Sequence, residues 1–169
     1  MSDIAFGAAT PDDVAALHPL IERAYRGETA KAGWTHEADM LFDTRTSADE
    51  LAALIADPER VILLARRDGV LVGCVQVARA GDGLAYLGML TVEPGLQASG
   101  LGRRLLAAAE TEAVRRFGAR RMEMTVIHRR AELIAWYERR GYVATGETRP
   151  FPVAGREDEL HFVVLEKAI

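Results

Sequence analysis

A single cysteine, Cys74, stands among the 169 residues, which excludes an intrachain disulfide framework and any zinc site built from several cysteines. A reducing cytoplasmic setting is the expectation. Long hydrophobic runs are missing as well. The stretches Val61 to Ala65 and Val70 to Val77 are parted by Arg66, Arg67, Asp68 and Gly69, far below the roughly 20 residues a membrane helix needs. The start, Met1-Ser2-Asp3-Ile4-Ala5-Phe6, has no basic region leading into an apolar segment, so neither a secretory signal nor a membrane association is expected. Positive charge is not in excess. With 21 Lys and Arg against 25 Asp and Glu, the formal charge is −4, and the field of the whole molecule opposes a polyanion. Nucleic acid is therefore not an expected partner, although a local arginine cluster could still grip a phosphate. Repeats and long Gly, Ser or Pro stretches are absent too, so residues 1–169 read as one domain without a linker.

What the sequence has is a core: 49% of the residues are apolar and 27% charged, a balance that suits one compact domain. Ile4 to Ala8 reads as an edge strand. Thr10-Pro11-Asp12-Asp13 then sets a cap, an N1 proline and two acids at a helix start, with Val14, Leu17, Ile21 and Ala24 at helical spacing and Pro19 expected to kink or shorten the helix. Ser47-Ala48-Asp49-Glu50 is a capping box opening a short second helix that stops at Asp57-Pro58. Between them, Arg26 to Thr46 lacks periodicity and reads as a functional loop or lid.

Val61 to Arg66 and Val70 to Ala80 flank the turn dipeptide Asp68-Gly69, and Gly81-Asp82-Gly83 reverses the chain into Leu84 to Val92, so three antiparallel strands are expected. After Pro94-Gly95 the period turns helical through Leu101, Leu105, Ala109, Ala113 and Phe117, ending at Gly118. Arg120 to Ile127 reads as a strand, Ala131 to Arg140 as a helix stopped by Gly141, and Val143 to Thr148 and Leu160 to Glu166 as closing strands. The order β-α-α-β-β-β-α-β-α-β-β argues an α/β fold around a mixed sheet with helices on both faces.

The chemistry concentrates where the third meander strand ends, in Leu90-Thr91-Val92-Glu93-Pro94-Gly95-Leu96-Gln97-Ala98-Ser99-Gly100-Leu101-Gly102-Arg103-Arg104. Gly100 and Gly102 let the backbone approach an anion, and the amides of a helix start offer donors at the positive end of the dipole. A tight strand-to-helix turn is the plainer reading of the same glycines. A P-loop would need Lys and then Ser or Thr after its last glycine, where this chain has Arg103-Arg104. A dinucleotide fingerprint would need a third glycine where this chain has Leu105.

Gln97-Ala98-Ser99-Gly100-Leu101-Gly102 resembles the signature of the GNAT superfamily of acyl-coenzyme A-dependent N-acetyltransferases: Gln or Arg, two residues, Gly, one residue, then Gly or Ala. Val92-Glu93-Pro94 precedes it in the family's manner, and Trp136-Tyr137-Glu138-Arg139-Arg140-Gly141-Tyr142 is similar to the family's later tyrosine-to-glycine segment. The resemblance implies a mixed, mostly antiparallel sheet splayed between the fourth and fifth strands, with the cofactor in that cleft. It implies that Leu90, Thr91 and Val92 pair with the pantetheine arm of acetyl-coenzyme A, that the amides of Ala98 to Arg103 hold the pyrophosphate, and that Gln97 belongs to the same loop. Arg103 and Arg104 either add charge-assisted contacts or form a solvated helix face. Tyr137 falls where the family places a proton donor for the departing thiolate, and it also sits on an apolar stripe with Leu133 and Trp136. Where the family often has Asn, seven residues earlier, this chain has Arg130.

The implied reaction is acetyl transfer from acetyl-coenzyme A to a primary amine by direct attack, with no metal and no acyl-enzyme. A non-catalytic acyl-coenzyme A sensor or partner-docking module is the alternative. Attack requires a proton acceptor, and none is named by the sequence: Tyr86 stands where some relatives carry Glu on the fourth strand, and Glu123 and His128 are not carried as catalytic. Acceptor choice, whether a small amine or a protein terminus, is expected from Trp34, His36, Glu37 and Asp39 and from Arg149-Pro150-Phe151-Pro152. A homodimer is compatible with this reading.

Overall fold

The computed structural model describes residues 3–25, 46–97, 99–150 and 160–169. The expected loop over Arg26 to Thr46 lies outside them save for Thr46, as do Ala98, Phe151 and Pro152, and with that loop go Trp34, His36, Glu37 and Asp39.

Among the described residues seven strands follow the chain as β1 (Ile4–Ala8), β2 (Arg60–Arg67), β3 (Val70–Gly81), β4 (Leu84–Val92), β5 (Arg121–Ile127), β6 (Val143–Pro150) and β7 (His161–Ala168), with helices α1 (Val14–Tyr25), α2 (Ala48–Ala56), α3 (Leu101–Phe117) and α4 (Ala131–Glu138) between them. They form one sheet in the order β1-β2-β3-β4-β5-β7-β6. Every neighbouring pair is antiparallel except β4 and β5, which are parallel. The closing strands thus exchange places, β7 entering beside β5 and leaving β6 at the edge.

Period-two alternation sends successive side chains to opposite faces. Val61, Leu63 and Ala65 of β2 meet Leu105, Ala109 and Ala113 of α3 on one face. Ile62 and Leu64 meet Leu17 and Ile21 of α1 and Leu51 of α2 on the other, with Cys74 and Met89. Each fully buried leucine of this kind contributes about 1.5–3 kcal/mol. Among the described residues no helix is long and apolar enough to cross a membrane.

The helix ends follow their caps with three differences. Pro19 does not cut α1 short, and the helix runs on to Tyr25. Ser47 Oγ accepts the Glu50 amide at 3.1 Å, yet the Glu50 carboxylate accepts the Thr46 hydroxyl at 3.0 Å instead of returning to Ser47. Helix α4 stops at Glu138, with Gly141 taking a φ of +100° in the turn that follows.

The site is created by the failure of β4 and β5 to stay together. Only Leu84, Ala85 and Tyr86 of β4 pair with β5, opposite Arg121, Met122 and Glu123. Beyond them β4 carries an extra residue against β3, since Gln76 pairs with Gly88 but Cys74 with Thr91, and Met89 takes a φ of +55°. Such a bulge bends the strand that carries it. The two strands splay, and a cleft opens between them.

Candidate functional site

Helix α3 points its N-terminus into this cleft. Gly100, with a φ of +88°, makes the reversal that caps the helix, a conformation glycine adopts without strain. The first intrahelical bond from this turn is Arg104 N–H to Gly100 O at 3.2 Å, while the Leu101 amide donates to Ser99 Oγ at 3.4 Å. The amides of Gly102 and Arg103 have no acceptor among the described residues, so they remain as donors at the positive end of the helix dipole.

The loop that delivers them is anchored from both sides. Glu93 takes a bidentate pair from Arg23 of α1, at 3.2 and 2.8 Å, and its own amide donates to Val72 O at 2.9 Å. Gln97 Nε2 donates to Val92 O at 3.4 Å, tying the loop back to the end of β4.

The cleft has a volume of about 660 Å³ and runs from the loop residues Gln97, Ser99, Gly100, Gly102 and Arg103 past Leu90 and Val92 to one side of α4. Where β4 and β5 part, a smaller cavity of about 180 Å³ continues it, bounded among others by Tyr86, Thr125 and Arg130. Leu90, Leu133 and Tyr137 border both. Tyr137 therefore stands at their junction. Its side chain is 5% exposed and held edge-on by Trp136 and Tyr142, with ring centroids 5.1 and 5.9 Å away.

Of the residues expected from the sequence, Leu90, Val92, Gln97, Ser99, Gly100, Gly102, Arg103 and Tyr137 converge on the cleft. Thr91 is buried, with its hydroxyl on Met89 O at 2.9 Å, and Leu101 packs into the core. Arg104 departs from its expected place. Its guanidinium lies over the Phe6 ring, 5.5 Å from the centroid, in a separate groove between β1 and α3. The reason is helical geometry, because consecutive residues are turned about 100° apart.

Sequence reasoning did not assign Glu132, Leu133, Trp136, Arg139 and Arg140 to the cleft, yet all line it. Their spacing of three, four and seven marks one side of α4 and of the turn that ends it, and that stripe was the available signal. Arg140 lies over the Trp136 ring at 4.4 Å. Burial, and then the charges of Arg139 and Arg103, hold its pKa below the usual guanidinium value.

Neither of the other carboxylate or imidazole candidates borders either space. Glu123 is buried in a pair with Arg149 at 3.2 Å. His128 stacks on His161, with ring centroids 3.9 Å apart and planes 5° from parallel. The Tyr86 hydroxyl does reach the smaller cavity and hydrogen-bonds Thr125 Oγ1 at 2.7 Å. Arg130, 4% exposed, donates from Nε to Glu132 Oε1 at 3.1 Å. Next to Tyr137, the Tyr142 hydroxyl donates to Glu110 Oε2 at 2.8 Å, and burial followed by that bond raises its pKa far above the ordinary phenol range. Tyr142 is thereby unsuited to give up a proton.

A splayed mixed sheet with a helix N-terminus aimed into the split defines a class of α/β protein whose gap between two strands suits a phosphate-bearing ligand. The sequence model of the acetyltransferase (GNAT) family matches residues 16–142, and the chain belongs to that family. Uncharacterized N-acetyltransferases of Mycobacterium bovis and Mycobacterium tuberculosis are 28% identical over 124 residues, 73% of this chain and 78% of theirs. Among solved structures, the PaiA N-acetyltransferase of Thermoplasma acidophilum in complex with coenzyme A superposes with a TM-score of 0.75 at 17% identity, covering 99% of each chain. The ribosomal-protein-S18-alanine N-acetyltransferase of Escherichia coli does so with a TM-score of 0.74 at 19% identity, over 99% of this chain and 94% of that one. At such identities the likeness speaks for the fold.

The donor set suits coenzyme A. Unbonded amides, a helix dipole and arginines fit its phosphates, the sides of Leu90, Val92 and Trp136 fit its apolar arm, and Gly102 keeps the floor low where α3 meets α4.

Proposed function

We propose that this chain moves an acetyl group from acetyl-coenzyme A to a primary amine, by direct attack of the amine within the split between β4 and β5. One observation carries the reading: the space beginning at the free amides of Gly102 and Arg103 runs without a break to Tyr137, where the second cavity starts. Acetyl-coenzyme A supplies the activated acyl group. The residues of the chain bind and orient it, the amides of Gly102 and Arg103 at its pyrophosphate and β4 from Leu90 to Val92 along its arm.

Tyr137 donates its hydroxyl proton to the departing thiolate sulfur. As the N–C bond forms and the C–S bond breaks, the amine's surplus proton leaves through water, and the tyrosine regains one from the same source. Tyr86, hydrogen-bonded to Thr125, is one of the polar groups lining the smaller cavity beyond Tyr137, and its hydroxyl oxygen would accept a hydrogen bond from the amine.

Family membership leaves the acceptor open. One structural neighbour is named for the alanine of a ribosomal protein, and here both small amines and protein N-termini remain candidate acceptors. The test is thiol release from acetyl-coenzyme A over a panel of amines and amino-terminal peptides. Release that depends on the acceptor supports transfer. Tight binding with no release from any acceptor would overturn it in favour of a module that only binds the acyl thioester.

A further inference from the structure

Among the described residues nine arginines pair with carboxylates: Arg23, Arg60, Arg66, Arg79, Arg115, Arg116, Arg121, Arg130 and Arg149. Three that line the 660 Å³ cleft, Arg103, Arg139 and Arg140, pair with none among the described residues. Arg67 and Arg120 on the surface also have no carboxylate partner among the described residues, but these three come from two parts of the chain and meet across one space. Glu132, the one acidic residue among the described residues that line the cleft, is engaged by Arg130. Arg140 is also fixed in place, lying over Trp136 with its Nη1 on Trp136 O at 3.5 Å.

Bringing three like charges together costs energy unless an anion offsets them. The mutual effect is visible in Arg140, whose pKa is held down by burial and then by Arg139 and Arg103. The amides at the start of α3, with the helix dipole, already suit one phosphate group. Coenzyme A carries two separate anionic groups, a pyrophosphate and a 3′-phosphate monoester. The monoester bears up to two charges near neutral pH on three acceptor oxygens, the geometry guanidinium groups match best.

We infer that Arg139 and Arg140, at the end of α4, form with Arg103 a subsite for the 3′-phosphate of coenzyme A, so that the cleft selects coenzyme A over its dephospho form. This rests on the proposed use of the cleft for acetyl-coenzyme A. It gives the YERRG stretch a role in choosing the acyl carrier, distinct from the part Tyr137 plays in the reaction.

Calorimetry with coenzyme A and with dephospho-coenzyme A tests it without any turnover. The unmodified protein should bind coenzyme A tighter by roughly tenfold or more, the worth of a lost charge-assisted contact, and the ratio should shrink as salt is raised. The double variant Arg139→Gln, Arg140→Gln should lose most of this preference, binding coenzyme A only slightly tighter than dephospho-coenzyme A through the remaining Arg103, with dephospho-coenzyme A affinity little changed. Arg139→Lys with Arg140→Lys should keep part of the preference. Equal binding of the two ligands by the unmodified protein would overturn the inference while leaving the proposed function standing. A double variant that weakens both ligands by the same factor would overturn it too, assigning these arginines to the pyrophosphate. If coenzyme A does not bind at all, the proposed function fails first and the subsite falls with it.

Discussion

The indole of Trp136 lies 3.6 Å from the point a Cβ on Gly102 would occupy, so the first turn of α3 and the middle of α4 touch across the floor of the cleft. That distance is ordinary van der Waals contact, which leaves room for one methyl group and nothing longer. Because Trp136 carries Arg140 on its ring, the contact also fixes how far the α4 arginines stand from the glycine loop.

A graded series at Gly102 follows from this spacing. Gly102→Ala should leave coenzyme A affinity within a few-fold and raise the melting temperature, since glycine inside a helix costs about 0.5–1 kcal/mol relative to alanine. Gly102→Glu should weaken coenzyme A by far more than tenfold, because the longer chain meets Trp136 and sets a negative charge at the phosphate site. Calorimetry beside a melting curve checks both. A folded Glu variant with normal affinity would remove the loop from the site.

Tyr142→Phe probes the tyrosine beside Tyr137. Its hydroxyl bonds a Glu110 carboxylate that also accepts from Lys167 Nζ at 3.0 and 3.1 Å. Losing a bond to a charged acceptor costs roughly 1.5–3 kcal/mol. The melting temperature should drop by several degrees while coenzyme A affinity and turnover stay near normal, separating the supporting tyrosine from the reacting one.

The acid limb of the stability curve should carry a mark of Glu112. Burial alone would raise its pKa, but hydrogen bonds from Arg115 and Arg116 outweigh it and the net shift is downward. A carboxylate depressed in the folded state stabilises above its unfolded value, 4.5, and loses that contribution as pH falls through the folded one. Glu112→Gln should therefore lower the melting temperature at pH 7 by about 2–4 °C, on the order of 1 kcal/mol. The gap to the unmodified protein should close below about pH 4.5. A gap unchanged at pH 3 would mean that shape, and not charge, sets the effect.

The strands and helices were legible because their signals are local: Asp68-Gly69 turns β2 into β3, and Gly118 ends α3 with a φ of +62°. The exchange of β6 and β7 was not, since pairing β5 with β7 across the sheet leaves no trace in either strand's own pattern. Nor was the bulge at Met89, a residue type that gives no warning of a left-handed backbone. In the site, the glycine loop shows in its own spacing and Tyr137 only through the resemblance to the GNAT family, whereas the parting of Arg103 from Arg104 depends on where α4 and β1 stand around α3. Arg139 and Arg140 have in the sequence a place at a helix end and in the tyrosine-to-glycine segment but no binding role, because their meeting with Arg103 exists only once two helices are placed side by side.

Tyr137→Phe separates packing from chemistry at the junction of the two cavities. The ring keeps its edge-on contacts with Trp136 and Tyr142, so melting temperature and coenzyme A affinity should change little. If the hydroxyl protonates the departing thiolate, turnover on the best amine should fall by roughly a hundredfold, the scale of a positioned general acid. The loss should appear in kcat, with the KM for the amine nearly unchanged, because the missing proton matters only as the C–S bond breaks. Coenzyme A is a fair leaving group, and a water reaching the sulfur would trim the effect. An acyl donor with a more acidic thiol should then restore much of the variant's rate, since it departs without needing the proton. Near-normal turnover in the folded variant, or a deficit that a better leaving group does not repair, would return Tyr137 to a packing role.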